Sequence, residues 1–292
     1  MKKNVIDFIK EGKRCFDGAT GTMLMKMGLE IGGCPEEVDA DIIKKVHGVY
    51  IDAGAQFLTT NTFGGNKPKL NKYDLGGKVS QINRKNARIA VEAAENKEAY
   101  VAGDIGPTGE FIQPYGDFTE EQFDEVFSEQ AKALADGGCD LIMVDTRAST
   151  GQAADCVSAA KKSTGLPVIG SMNSNTAPDG YRTMMGISPE DAVKILEQAG
   201  ADIIGSNCSL TPAEIEDLVA DLRKLTEKPV LIEPNAGHPV LKDGKTVYEP
   251  IPDLETHLKK IVENGADIIG GCCGTDPEYI RRLRKIIDDY NS

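Results

Sequence analysis

The sequence predicts an α/β fold, a (β/α)₈ TIM barrel forming one domain over residues 1–292. Three observations predict it. Nearly the same nine residues occur twice, GADIIGSNC at Gly200–Cys208 and GADIIGGCC at Gly265–Cys273. Two further segments, GAQFLTTNT at Gly54–Thr62 and GCDLIMVDT at Gly138–Thr146, share their grammar: glycine, small residue, Asp or Gln, apolar run, polar exit. Between these four segments lie four more apolar runs, and each run is followed by a stretch of helical period, so that strand then helix repeats eight times. An open doubly wound sheet is the alternative.

In chain order, the first strand is expected over Arg14–Thr20. A long connection, Gly21–Asp41, then leads to a helix over Ile42–Ala53. The repeat Gly54–Thr62 supplies the second strand, and Val79–Ala94 its helix, with apolar residues three and four apart. Tyr100–Gly106 is the third strand. After the connection Thr108–Glu120 comes a helix over Glu120–Ala135, then the fourth strand in Gly138–Thr146 and a helix over Gly151–Lys162. Pro167–Asn173 is the fifth strand, and its connection Ser174–Ser188 ends at Ser188-Pro189-Glu190, a capping side chain before a proline at the first helical position of Pro189–Ala199. The sixth strand, Gly200–Cys208, is followed by Thr211-Pro212-Ala213 and a helix over Pro212–Leu225. The seventh, Pro229–Asn235, precedes the connection Ala236–Asp253 and a helix over Leu254–Asn264. The eighth, Gly265–Cys273, precedes Asp276-Pro277-Glu278 and a helix over Pro277–Tyr290. Each repeat glycine follows a helix and reads as its C-cap. Runs such as ADIIG and VLIE suit strands buried on both faces.

Bulk composition narrows the function. The 292 residues carry 33 Lys+Arg against 46 Asp+Glu, a net charge of −13, which argues against nucleic acid or an anionic membrane surface as partner. No apolar run is long enough to span a bilayer, and the first residues, MKKNVIDFIKEGKR, lack the apolar core of a signal peptide. Seven cysteines, an odd number, then point to a reducing cytoplasm rather than a disulfide framework.

In a barrel of this kind chemistry sits at the C-terminal ends of the strands. Those ends carry Asp17 with Thr20, Asn61 with Thr62, Asp104, Asp145 with Thr146, Asn173, Asn207 with Cys208, Glu233 with Asn235, and Cys272 with Cys273. The shared register puts Cys208 and Cys273 at one height. Neighbouring strand residues face opposite ways, so Cys272 joins them only if the strand breaks, for which Gly270, Gly271 and Gly274 give freedom. Three thiolates at one point suggest zinc, and three protein ligands leave a tetrahedral ion one open position, as at catalytic sites. Asn235, on the strand between, is placed to offer that position a neutral oxygen. Cys15, Cys34, Cys139 and Cys156 read as small buried hydrophobes. The histidines His47, His238 and His257 fit no metal motif and read as packing or surface residues.

At this point the chain resembles the homocysteine S-methyltransferase family over nearly its whole length, and most of all the homocysteine-binding module of cobalamin-dependent methionine synthase. The resemblance is carried by Asp17-Gly18-Ala19-Thr20-Gly21-Thr22, Thr60-Asn61-Thr62-Phe63-Gly64, Gly103 to Gly109 (GDIGPTG), Asn207-Cys208-Ser209, Glu233 to Gly237 (EPNAG) and Gly271-Cys272-Cys273-Gly274-Thr275. It implies zinc held by Cys208, Cys272 and Cys273, with the homocysteine sulfur as fourth ligand and, as its thiolate, the attacking group on a methyl donor. It also implies that Asp17 and the acidic residue of the fourth strand hold the substrate ammonium, while the backbone of Gly18, Ala19 and Thr20 takes its carboxylate. That second acidic residue is Asp145 here, where the family usually has Glu, and Arg147-Ala148-Ser149 departs from the aromatic-containing stretch usual there. The expected product is methionine. The expected methyl donor is a methyl-corrinoid protein supplied in trans, with S-methylmethionine, which standalone members use, as the alternative, and transfer to or from another thiol as a third.

Overall fold

The computed structural model describes residues 2–29, 34–35, 38–146, 150–242 and 244–292. In chain order its elements are α1 (Val5–Lys10), β1 (Arg14–Cys15), α2 (Thr20–Lys26), α3 (Ala40–Asp52), β2 (Phe57–Thr59), α4 (Lys67–Asn71), α5 (Val79–Ala94), β3 (Tyr100–Ile105), α6 (Glu120–Asp136), β4 (Leu141–Thr146), α7 (Thr150–Thr164), β5 (Val168–Met172), β6 (Asn175–Ala177), β7 (Gly180–Arg182), α8 (Pro189–Ala199), β8 (Ile203–Asn207), α9 (Pro212–Leu225), β9 (Val230–Glu233), β10 (Pro239–Lys242), β11 (Lys245–Tyr248), α10 (Leu254–Glu263), β12 (Ile268–Ile269) and α11 (Pro277–Asn291). Eight strands form one sheet in the order β1-β12-β9-β8-β5-β4-β3-β2, every pair parallel. The remaining seam, between β1 and β2, is drawn shut by the Gln56 amide donating to the Cys15 carbonyl at 2.7 Å. The fold is the expected (β/α)₈ barrel.

The repeat has a physical reason. At its third position the side chain reaches the strand that precedes it in the chain and accepts a backbone N–H: Asp140 from Val101 at 2.8 Å, Asp202 from Val168 at 2.8 Å, Asp267 from Val230 at 2.9 Å and Gln56 from Cys15 at 3.2 Å. The backbone N–H of each of those residues donates back to the carbonyl of the same partner. The repeat is therefore a two-way clamp that sets the register of neighbouring strands. Its glycines, Gly54, Gly138, Gly200 and Gly265, all turn left-handed, at φ +98° to +108°. A Cβ there costs about 1–2 kcal/mol, so glycine ends each helix and starts each strand.

Side chains alternate across the strands. Ile169, Ile203, Leu231 and Ile268 point inward to a core shared with Phe16, Phe57, Tyr100, Leu141 and Met143. Val168, Ile204, Val230, Ile232 and Ile269 point outward to the helices. Phe16 stacks on Phe57 at 5.3 Å, and Phe57 on Tyr100 at 5.5 Å, so aromatic packing covers the weak seam. Val5 and Ile9 of α1 join the inner core. That short helix plugs the end of the barrel where the strands begin, leaving the strand exits as the open end.

The strands are shorter than the expected runs, the first, second and eighth most of all, at two, three and two residues. The first ends at Cys15 rather than Thr20, because Thr20 already opens α2, and the eighth ends at Ile269, before its cysteines. The connections after β5 and β9 fold into hairpins, β6–β7 and β10–β11. Among the described residues no helix is long and apolar enough to cross a membrane.

Candidate metal centre and substrate cleft

Cys208 follows β8 directly. It and Ser209 adopt left-handed backbone at φ +62° and +58°, unusual for residues with a side chain. The kink is held from both sides: the Cys208 N–H donates to the Glu233 carbonyl at 2.9 Å, and the Asn235 N–H donates to the Leu210 carbonyl at 2.9 Å. Beyond the end of β12 the Cys272 N–H donates to the Pro234 carbonyl, and the Cys273 carbonyl accepts from Ala236 N–H, both at 2.9 Å. The segment Glu233–Ala236 thus ties the two cysteine-bearing exits together.

The result is one cluster. The sulfurs of Cys208, Cys272 and Cys273 lie within 4.8 Å of one another, with Cys208 to Cys273 at 3.6 Å and Cys272 to Cys273 at 4.0 Å. A tetrahedral ion with Zn–S bonds of ~2.3 Å separates its sulfurs by ~3.8 Å. These spacings fit that cradle and are far too long for disulfides, whose S–S bond is about 2.05 Å. Hydrogen bonding to its two neighbours, then burial, pushes the Cys272 thiol well above its ordinary range, so it resists ionising unless a cation joins the cluster. Asn235 is buried, and its side-chain oxygen has no hydrogen-bond partner among the described residues.

The cluster opens into a cleft of about 480 Å³. Four carboxyl groups line it, Asp17, Asp104, Asp145 and Glu233, all buried, and no Lys or Arg does among the described residues. Burial pushes Asp17 up to about 7, against hydrogen bonds from Thr59 that pull it down. Those bonds run from the Thr59 N–H to Oδ2 at 2.8 Å and from its hydroxyl to Oδ1 at 2.9 Å, so the carboxyl is fixed in direction and also braces the β1/β2 seam. Burial first, then the charges of Asp17, Asp145 and Asp104, drives Glu233 well above the carboxylate range. Such a wall calls for a cation.

Gly18, Ala19 and Thr20 line the same cleft. The Ala19 N–H already donates to the Thr275 hydroxyl at 3.1 Å, which leaves the first turn of α2 as the source of N–H groups without an intrahelical partner. Asp145 faces the cleft, whereas Arg147–Ser149 lie outside the described residues. Tyr248, in a stretch that the sequence shows only as a loop, also lines the cleft, its phenol pushed up to about 12 by burial and by Cys273. Of the histidines, His47 is fully buried, His238 pairs with Glu214 at 3.1 Å and His257 with Glu216 at 3.0 Å, all away from the cleft.

A parallel barrel whose strand exits carry an acidic cleft beside a three-thiol cluster that could hold a metal ion is the frame of an enzyme site. The sequence pattern of the homocysteine S-methyltransferase family matches residues 14–287, and the chain belongs to that family. It is 30% identical over 301 aligned residues to a methionine synthase of Mycobacterium tuberculosis and 31% identical over 296 to one of Mycobacterium leprae, covering 96% and 94% of the present chain. The chain spans about a quarter of the length of these curated relatives, 25% and 24%. In fold it is similar to the metallated form of the homocysteine methyltransferase MmuM from Escherichia coli, with a TM-score of 0.81 and 22% identity over 97% of this chain and 99% of that one.

Proposed function

We propose that the protein transfers a methyl group to the sulfur of homocysteine, forming methionine, with zinc held by Cys208, Cys272 and Cys273. The observation that carries this reading is the convergence of three sulfurs within 4.8 Å at the mouth of an acidic cleft, in a chain of this family. Zinc in that cradle would supply the Lewis acid that keeps the acceptor thiol ionised at neutral pH, where a free thiol of pKa ~8.5 is mostly protonated.

The protein's own residues do the rest. Asp17, braced by Thr59, and Asp145 receive the substrate ammonium, with Asp104 adding negative field behind them. The Gly18–Thr20 turn and the first turn of α2 take the carboxylate through backbone N–H groups. Asn235 offers its buried side-chain oxygen to the site until the substrate sulfur arrives. Leu24, Met25 and Val38 cover the cleft and shed water from it. In the transfer the sulfur–carbon bond forms as the bond from methyl to donor breaks, and the thiol proton leaves to solvent. Fixing acceptor and donor in line is the main contribution of such a site.

For the donor we favour a methyl-corrinoid protein acting in trans, on the likeness of the motifs to cobalamin-dependent methionine synthase, with which the relatives named methionine synthase agree. None of the seven cysteines is joined in a disulfide, which suits a reducing, cytoplasmic setting. A donor panel tests the reading: zinc-loaded protein and homocysteine are mixed with methylcobalamin, a methyl-corrinoid protein or S-methylmethionine, and methionine is measured. Methionine from a corrinoid donor is expected. Methionine from S-methylmethionine alone would overturn the donor, and none from any donor would overturn the activity.

A further inference from the structure

Two neighbouring strand exits carry different parts of the site. The turn after β1 offers Gly18, Ala19 and Thr20 to the cleft, and the segment after β12 offers Gly271, Cys272 and Cys273. The pairing of β1 with β12 runs on beyond both strands: the Phe16 N–H donates to the Ile269 carbonyl at 2.7 Å, and the Gly271 N–H donates to the Asp17 carbonyl at 3.0 Å. Past that point side chains take over from the ladder.

Thr275 makes the central link. It is fully buried and is not among the residues that line the cleft. Its hydroxyl accepts from the Ala19 N–H at 3.1 Å and donates to the Cys272 carbonyl at 2.7 Å. One oxygen thus joins the Gly18–Thr20 turn to the backbone of a cluster cysteine. The approach is close on both sides. A Cβ on Gly18 would sit 2.9 Å from Thr275 Oγ1, and one on Gly271 would sit 2.5 Å from its Cγ2. The phenol of Tyr50, also fully buried, donates to the Ala19 carbonyl at 3.1 Å and lies 3.5 Å from the Thr275 carbonyl. The Gly274 N–H donates to the Thr22 hydroxyl at 2.9 Å, and Lys26 pairs with Asp276 at 2.7 Å. The two segments are stitched together along their length.

A substrate held at both segments is measured by the distance between them. We propose that Thr275 is a positioning residue that sets substrate specificity: its hydroxyl fixes the spacing between the turn that takes the carboxylate and the cluster that takes the sulfur, and so selects homocysteine over cysteine. The inference rests on the function proposed above. Cysteine carries the same ammonium, carboxylate and thiol on a chain one methylene shorter. With the spacing fixed, the shorter chain cannot seat its carboxylate and its sulfur together. With the spacing slack, the two chains are told apart less well.

The test is calorimetric titration of zinc-loaded wild type, Thr275→Val, Thr275→Ser and Tyr50→Phe with homocysteine and with cysteine, without a methyl donor. It reads the ratio of the two dissociation constants, with zinc stoichiometry and melts recorded for each protein. Thr275→Val keeps the shape and removes the hydroxyl, whereas Thr275→Ser keeps the hydroxyl. Wild type and Thr275→Ser should prefer homocysteine by the same ratio. Thr275→Val should lower that ratio about tenfold, the scale of one hydrogen bond, by weakening homocysteine rather than cysteine. Tyr50→Phe keeps its ring beside Gly18 and should lower the ratio in the same direction, so it carries the test if Thr275→Val does not fold. An equal loss of both ligands in the variants, or an unchanged ratio, would make Thr275 a structural residue only and overturn the proposal. Wild type that binds the two thiols alike would overturn it as well. Wild type that binds neither would overturn the function proposed above, and this inference with it.

Discussion

Replacing His47 by leucine is expected to remove an acid-sensitive weakness from α3. The imidazole is fully buried, and neither ring nitrogen has a hydrogen-bond partner among the described residues. Burial lowers its pKa from 6.5 to about 4 in the folded protein. Above about pH 6.5 both folded and unfolded chains hold His47 neutral, and it adds no pH dependence. As pH falls below that value the unfolded chain takes up a proton that the folded one refuses, so stability is lost progressively until pH reaches about 4. At about 1.4 kcal/mol per pKa unit the full loss is about 3 kcal/mol, of which about 2 kcal/mol is gone by pH 5. Leucine has a similar volume, no proton to take up and no buried nitrogen to leave unpaired, a defect worth about 1–3 kcal/mol. Urea unfolding of metal-free wild type and His47→Leu at about pH 7.5 and pH 5 isolates the effect, because the other titrating groups cancel in the difference. The variant is expected to match or exceed wild type at the higher pH and to gain about 2 kcal/mol on it at the lower. An equal difference at both values would refute the reasoning.

Further expectations concern the frame and the cleft. Asp267→Ala removes the acceptor of the Val230 N–H and the partner of Lys13 and Arg223, and about 2 kcal/mol of stability should go with it in urea titrations; an unchanged midpoint would deny that the repeat works as a clamp. Gly274→Ala adds a Cβ 2.4 Å from the Tyr248 ring at a left-handed residue, so it should lower the melting temperature and the bound zinc together. Because the Asp17 carboxyl is pushed up to about 7, it is protonated below that pH, and calorimetric affinity for homocysteine should rise as pH climbs through 7. Asp17→Asn should flatten that rise relative to wild type, and parallel curves would place the ammonium elsewhere.

The barrel was legible because its repeat encodes a physical device. Gly, small residue, Asp or Gln is at once a helix cap, a turn and a two-way clamp on the preceding strand, and four copies leave few other folds. The cysteine cluster was legible for the same reason, since shared register brings Cys208 and Cys273 to one height and the glycines around Cys272 allow the strand to end early. What the sequence hid lies in the connections. Both hairpins contain Asp-Gly, at Asp179-Gly180 and Asp243-Gly244, a turn signal that would have found them. Without them Tyr248 is an aromatic in a loop with no address. Asp104 and Glu233 were visible as strand-exit residues, but their joining Asp17 and Asp145 in one acidic wall depends on barrel closure, which no local pattern states.

The central claim is that Cys208, Cys272 and Cys273 hold one zinc with a position open to the substrate sulfur. X-ray absorption at the zinc edge, on protein loaded with one zinc per chain, tests it most directly when homocysteine is absent and then present. The account predicts three sulfur neighbours and one oxygen or nitrogen neighbour without substrate, all at tetrahedral distances of about 2.0–2.3 Å. It predicts four sulfur neighbours once homocysteine is added. Fewer than three sulfurs in the free protein, or no gain of sulfur on adding homocysteine, would contradict it.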